Sequence, residues 1–233
     1  MRTLGLIGGM SWESSAQYYR LINEGVRERL GPLRSAPLVL HSVDFGPIES
    51  MQRAGRWDEA GALLARAARG LHAARAECIV LCTNTMHKVA DRIEAATPLP
   101  LLHIADPTGE AARAAGVQTV GLLGTAFTME QAFYRGRLEA RHGLRVLVPD
   151  AAGRADVHRV IYDELCAGRV MEASRARYRQ VIGALAARGA QAIVLGCTEI
   201  MLLVGQADSP VPLLDTTGLH ARAAVEFALG GGD

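Results

Sequence analysis

The sequence predicts an α/β protein made of two pseudosymmetric halves, each built on a parallel sheet. Two observations carry this. Short apolar runs alternate with longer stretches of helical period, the pattern of βαβ units whose sheets are covered on both faces. The second half also echoes the first, in order. Thr3-Leu-Gly-Leu-Ile-Gly8 matches Thr119-Val-Gly-Leu-Leu-Gly124, Ile79-Val-Leu81 matches Ile193-Val-Leu195, and Pro98-Leu-Pro-Leu-Leu102 matches Pro210-Val-Pro-Leu-Leu214. Ala-Ala-Arg precedes both Ile-Val-Leu runs, at Ala73–Arg75 and Ala186–Arg188. Ordered matches at offsets of 116, 114 and 112 residues indicate a duplication.

Taken in order, the strand candidates are 3–8, 37–43, 78–82, 100–104, 118–123, 144–148, 191–195 and 211–214. Between them the period lengthens to that of helices at 12–30, 57–75, 85–96, 128–142, 155–167 and 170–188, with a last helix at 216–229 packing back on the first half. The crossover between halves falls near 104–118. The expected division is therefore 1–103 plus 213–233 for one domain and 104–212 for the other.

The formal net charge of +1 gives no sign of a nucleic-acid or acidic-membrane surface. No apolar run reaches membrane-span length, and the start of the chain lacks a signal-peptide layout, so the expected setting is cytoplasmic. Cys78, Cys82, Cys166 and Cys197 show no Cys-x-x-Cys spacing and read as reduced thiols. Cys78 and Cys166 read as structural.

In open parallel sheets, ligands bind beyond the carboxyl ends of the strands. Those ends carry Gly8-Gly9-Met10, Cys82-Thr83-Asn84-Thr85, Gly124-Thr125 and Gly196-Cys197-Thr198-Glu199, all small or polar. If the halves face each other, these loops share one cleft. Gly8-Gly9-Met10-Ser11 leaves a strand and starts a helix, which suits either a substrate carboxylate or a tight turn capped by Ser11. It is neither Gly-x-Gly-x-x-Gly nor a Walker loop. Cys197, near a helix N-terminus, is expected to have a lowered pKa and to serve as a base. Laying Ile79 on Ile193 sets Thr83 opposite Cys197 and Cys82 opposite Gly196. A metal site from Cys82, His87 and Cys197 lacks a second ligand cluster, and Lys88 lacks the phosphate cradle that a pyridoxal phosphate site needs. His41 and His103 flank strands as either polar core groups or rim residues.

Gly8-Gly-Met-Ser-Trp-Glu-Ser14, His41-Ser-Val-Asp-Phe45, Leu81-Cys-Thr-Asn-Thr-Met-His-Lys88, Leu123-Gly-Thr125 and Gly196-Cys-Thr-Glu-Ile200 give the chain an end-to-end resemblance to the aspartate/glutamate racemase family. The resemblance implies a two-domain fold with the site in the interdomain cleft, frequent dimerisation, and inversion of an amino acid's α-carbon without cofactor. One group would remove the α-proton from one face and a second would return a proton on the other. It further implies substrate contacts from Met10, Asn84, Thr85, Thr125, Thr198 and Glu199.

The chain departs from the family pattern where a cysteine directly precedes Asn-Thr, because here that position is Thr83. A hydroxyl is a far weaker base than a thiol. The expectation is an unbalanced pair, Cys197 the main base and Thr83 its partner, with Cys82 turned into the sheet or in support, and with the two directions of proton transfer unequal. Gln52 stands where aspartate racemases use a basic residue, near Arg53 and Arg56, and Glu164 replaces a second basic contact. Aspartate and glutamate are therefore joined by neutral polar amino acids such as homoserine as expected substrates. A silent amino-acid-binding protein and a redox pairing of Cys82 with Cys197 are the competing functions.

Overall fold

A computed structural model describes residues 1–230 of the chain. It divides into two compact units, residues 1–103 with the chain from 220 onward, and residues 104–219. In the first unit, β1 (Leu4–Gly8) leads into α1 (Trp12–Leu30), and β2 (Leu38–Ser42) into α2 (Phe45–Arg53) and α3 (Trp57–Ala73). β3 (Cys78–Leu81) is followed by a 3₁₀ turn at Thr85–Val89, α4 (Ala90–Glu94) and β4 (Leu101–Leu102). The second unit runs α5 (Ala105–Ala114), β5 (Thr119–Gly124), α6 (Ala126–Glu130), α7 (Ala132–His142), β6 (Arg145–Leu147), α8 (Ala151–Asp163), α9 (Glu172–Ala187), β7 (Ala192–Gly196), α10 (Ile200–Leu203) and β8 (Leu213–Asp215). α11 (Thr216–Leu229) begins in the second unit and ends in the first.

Both sheets are parallel, with orders β2-β1-β3-β4 and β6-β5-β7-β8. The duplication is thus a duplication of topology. Register extends it to single residues. Leu4 pairs with Cys78 and Val120 with Ala192, while Ile79 pairs with Leu101 and Ile193 with Leu213. The repeated glycine inside β1 and β5 has a packing cause. A Cβ on Gly5 would lie 2.7 Å from Ala76 Cβ and 3.3 Å from Leu71 Cβ; one on Gly121 would lie 2.6 Å from Ile193 Cδ1 and 3.3 Å from Leu185 Cβ. The helix before the next strand, α3 in one unit and α9 in the other, therefore sits directly on its sheet.

The central strands of the first sheet, β1 and β3, are buried on both faces, whereas the edge strand β2 is partly exposed. Ile7, Ile79 and Leu81 join Leu64, Leu71 and Ile93 on one side. Leu4, Leu6, Cys78, Val80 and Cys82 join Tyr18, Ile22 and Val26 of α1, with Ala221 and Val225 of α11, on the other. That division follows the period-2 alternation of side chains along β3. The second unit has one continuous core around β5, β7, Tyr134, Tyr178 and Ile182.

All eight strand expectations correspond to observed strands, and the differences lie in the helices. The expected 128–142 helix is two helices, because Gln131 is extended at φ −94°, ψ 153° and separates α6 from α7. α8 starts earlier than expected because the Asp150 side chain caps it, accepting the Gly153 N–H at 2.8 Å. α2 and α5 were absent from the sequence reading. Each carries a proline in its first turn, Pro47 and Pro107, where a missing N–H costs nothing although it reads as a loop signal. The chain division also differs. Residues 213–219, assigned by sequence to the first half, lie in the second unit because β8 hydrogen-bonds to β7; 231–233 of that segment fall outside the described residues.

Gly9 holds the turn that leaves β1. Its φ is +92°, and a Cβ there would meet Val43 O at 2.1 Å. Gly9→Ala is expected to destabilise the fold by more than about 2 kcal/mol. Gly183→Ala, in α9 with open space around it, should instead stabilise by about 0.5–1 kcal/mol. Urea denaturation of the two variants checks the opposite signs.

Candidate functional site

The polar strand ends form one cluster in each unit. In the first, Ser11 caps α1, its Oγ accepting the Ser14 N–H at 3.4 Å. Ser15 Oγ accepts the Gly9 N–H at 2.7 Å and donates to Ser11 O at 3.1 Å. The capping reading of this turn is therefore realised, with Ser15 doing work that the motif did not assign it. Met10 is buried in the core beside this turn.

Beyond β3, Cys82 and Thr83 part company. Cys82 is fully buried in the α1–α11 core, its amide donating to Ile7 O at 2.9 Å and its thiol 3.7 Å from Val80 O. Burial pushes its pKa far above that of an ordinary thiol. Cys78, on the same face of β3, is pushed by burial to about 12. Thr83, Asn84 and Thr85 follow as buried polar residues in the turn. Thr83 N–H donates to Leu81 O at 2.8 Å, and its carbonyl accepts a 2.8 Å hydrogen bond from His87 Nδ1.

Gln52 lies in α2 and is buried, its Nε2 3.0 Å from Met86 Sδ. Its basic neighbours are otherwise engaged, Arg53 with Glu49 and Arg56 with Glu59. Lys88 packs its Nζ 4.0 Å from the Trp57 ring centroid. His103 is a core residue and His41 is exposed, which resolves the two options left open for them.

In the second unit, Cys197 follows β7 and is buried. Its thiol donates to Glu199 Oε2 at 3.0 Å, and Thr198 Oγ1 donates to the same oxygen at 2.7 Å. The expectation of a lowered pKa is overturned. Burial first, then the negative charge of Glu199, holds the Cys197 thiol well above its ordinary value. The following helix, α10, has only four residues and gives little compensation. This is a protonated thiol hydrogen-bonded to a carboxylate.

Thr125 caps α6 through Oγ1, which accepts the Thr128 N–H at 3.3 Å. His158 Nδ1 accepts the next amide, Ala126 N–H, at 3.1 Å; nothing in the local sequence marked that histidine. Glu164 ends α8 with its oxygens taken by Arg159 at 3.1 Å and Ser174 Oγ at 2.5 Å. Its charge is thereby partly neutralised. At the end of β8, burial raises the Asp215 pKa against the N–H groups of Thr217 and Gly218. Thr217 Oγ1 is buried without a hydrogen-bond partner among the described residues. Only the equivalence of β8 with β4 would have drawn attention to it.

Sheet register settles which residues correspond. With Leu4 equivalent to Val120, the pairs Leu4–Cys78 and Val120–Ala192 make Cys78 equivalent to Ala192. Counting onward, Cys82 corresponds to Gly196 and Thr83 to Cys197. Cys82 and His87 hold separate local partners, and no group of three or more His, Cys, Asp or Glu among the described residues is placed to hold a metal ion. No helix is long and apolar enough to cross a membrane among the described residues.

Residues 7–224 match the protein family described as Asp/Glu/Hydantoin racemase. A Yersinia pestis protein, described only provisionally as an Asp/Glu racemase, is 56% identical with a TM-score of 0.93, over 98% of this chain and 100% of its own. An aspartate racemase homologue from Pyrococcus horikoshii is 32% identical with a TM-score of 0.84, over 98% of this chain and 100% of its own. Picrophilus torridus aspartate racemase shares the fold, at 18% identity and a TM-score of 0.78, over 98% and 94% of the two chains.

The hydrogen-bonded pair of Cys197 and Glu199 yields a counterintuitive expectation. Glu199→Gln removes the negative charge beside the thiol, lowers its pKa, and should speed alkylation of Cys197 by iodoacetamide at pH 8 by about tenfold, one pKa unit of thiolate. Peptide-resolved mass spectrometry separates this from Cys166. An unchanged or slower rate would mean that Glu199 does not control the thiol.

Proposed function

We infer the function from one premise: the chain belongs to the Asp/Glu/hydantoin racemase family. It is an isomerase of the racemase type. We propose that it inverts the α-carbon of a free polar amino acid without a cofactor, with Cys197 and Thr83 as the two proton-handling groups. The observation that carries this reading is the register equivalence of Thr83 and Cys197 at the ends of β3 and β7. The reading requires these two strand ends to share one substrate, one group to each face of its α-carbon.

In the proposed cycle, Glu199 accepts the Cys197 thiol proton and the thiolate removes the substrate α-proton. The resulting carbanion spreads charge onto the substrate carboxylate, where donors from buried Asn84, Thr85 and Thr125 and from half-buried Thr198 stabilise it. Thr83 Oγ–H then protonates the opposite face, Glu199 releases its proton to solvent, and solvent returns a proton to Thr83. Reversal uses the same groups in the opposite order.

Thermodynamics limits the expected imbalance. Enantiomers are equal in free energy in achiral solvent, so kcat/KM must be equal in the two directions. The weak hydroxyl can divide kcat from KM differently for each enantiomer, and it can change how often the carbanion returns to its starting side.

The substrate reading follows from charge. Gln52 is buried with no charge of its own, Arg53 and Arg56 are paired on the surface, and Glu164 is a bound carboxylate. We propose neutral polar side chains such as homoserine beside aspartate and glutamate. The same half-sites could hold an amino acid without turning it over; the thiol–carboxylate pair favours catalysis.

Single enantiomers of aspartate, glutamate and homoserine, incubated in deuterated water without cofactor, should invert and gain α-deuterium for at least one of the three. Cys197→Ser should lower α-exchange by more than about 10³-fold, whereas Cys82→Ser should keep activity within a few-fold. Binding without exchange in the parent protein would favour the silent reading, and an inactive Cys82→Ser enzyme would mean that the wrong neighbour was chosen. Gln52→Arg should shift the kcat/KM preference toward the dicarboxylic substrates by about tenfold or more, measured by competition between homoserine and aspartate.

A further inference from the structure

Beneath Thr83, the first unit buries three imidazoles and a phenol. His87, His103, His220 and Tyr18 come from four different elements: the 3₁₀ turn, the end of β4, α11 and α1. None is more than 5% exposed. Tyr18 OH and His220 Nδ1 are 2.8 Å apart, and His220 Nε2 is 2.7 Å from Leu102 O. A carbonyl only accepts, so Nε2 carries the proton and, in the neutral ring, Nδ1 accepts from the tyrosine. His103 follows Leu102 directly, and its ring centroid lies 4.4 Å from that of His87; the His220 centroid lies 6.0 Å from it. His87 closes the series, its Nδ1–H donating to Thr83 O at 2.8 Å.

We propose that His87 is the positioning residue for Thr83, its tautomer fixed by the Thr83 carbonyl and its ring packed against His103 and His220. Polar rings in an otherwise apolar core cost stability unless each is satisfied, so a packed Phe or Leu would serve a purely structural role better. The comparison within the molecule sharpens this. At the offset that equates Thr83 with Cys197, His87 corresponds to Met201, which is 43% exposed, and Glu199 corresponds to Thr85. Each half has its own device. The thiol half places a carboxylate 3.0 Å from its sulfur; the hydroxyl half fixes the carbonyl of its threonine. A hydroxyl that is weak as an acid or base depends more heavily on correct aim, and holding its backbone fixes the Cα–Cβ direction from which Oγ projects.

The inference rests on the reading of Thr83 and Cys197 as partners, and its test separates the two. Thr83→Ala identifies the enantiomer whose α-proton still exchanges, the one that Cys197 addresses. With that enantiomer in deuterated water, His87→Ala should raise the ratio of exchange with retention to inversion by about tenfold, while the exchange rate itself stays near that of the parent. A structural role would lower exchange and inversion together. His87→Asn can reach the carbonyl from the Nδ1 position and should return the ratio to within about threefold of the parent; His87→Gln, whose amide lies one methylene further out, should not.

An unchanged ratio in His87→Ala, or equal rescue by Gln and Asn, overturns the positioning role. If the parent protein inverts no amino acid, the racemase reading of this pair falls, and nitrogen-15 NMR of labelled histidines still decides the contact. His87 should be protonated at Nδ1, with the amide resonances of residues 83–85 kept in His87→Asn and displaced in His87→Ala. A His87 ring protonated only at Nε2 overturns the proposal independently of activity.

Discussion

Parallel pairing of β3 beside β1, repeated as β7 beside β5, is the constraint on which the rest depends. A parallel pair has all its carboxyl ends on one side, so each strand leaves its sheet into a turn at the same edge. The central strands are buried along their length, so those turns are where they present polar groups without breaking a ladder. Gly5 and Gly121 keep the geometry close by letting α3 and α9 rest on the sheet. The polar strand ends are thereby gathered at two short edges.

At those edges the two units use different chemistry at equivalent positions. One holds a thiol with a carboxylate on its proton; the other holds a hydroxyl whose carbonyl is gripped by a buried imidazole. Duplication made the positions equivalent, and divergence then made their helpers different. The raised pKa of Cys197 belongs to this pattern. A buried thiol beside a carboxylate keeps its proton, because burial and the adjacent negative charge both oppose the thiolate.

The strands were legible because their period and length are strong local signals, and the offset between halves was legible because identical packing needs similar residues. Among the helices not expected from sequence, α2 and α5 carry Pro47 and Pro107 in first turns, where tertiary context tolerates what local rules read as breaks, and α10 is a single turn of four residues. Of the site, Cys197, Thr83, Asn84 and Thr85 were legible as polar residues closing apolar runs. His158, His220 and Tyr18 were not, since each bonds to a group distant in sequence and looks on its own helix like an ordinary interior residue.

The sequence by itself determined the fold class, the two parallel sheets and the correspondence of Thr83 with Cys197. All three follow from local periodicity and from a repeat that is visible letter by letter. Only the tertiary structure decided the protonation state of the thiol and the partners of each polar group. Both are set by burial and by the neighbours that the folded backbone supplies: Glu199 turned back on Cys197 two residues before it, His87 on Thr83 four residues before it, and α11, from far along the chain, returned to the first sheet with His220. A pKa is a property of surroundings, and those surroundings exist only once the chain has folded.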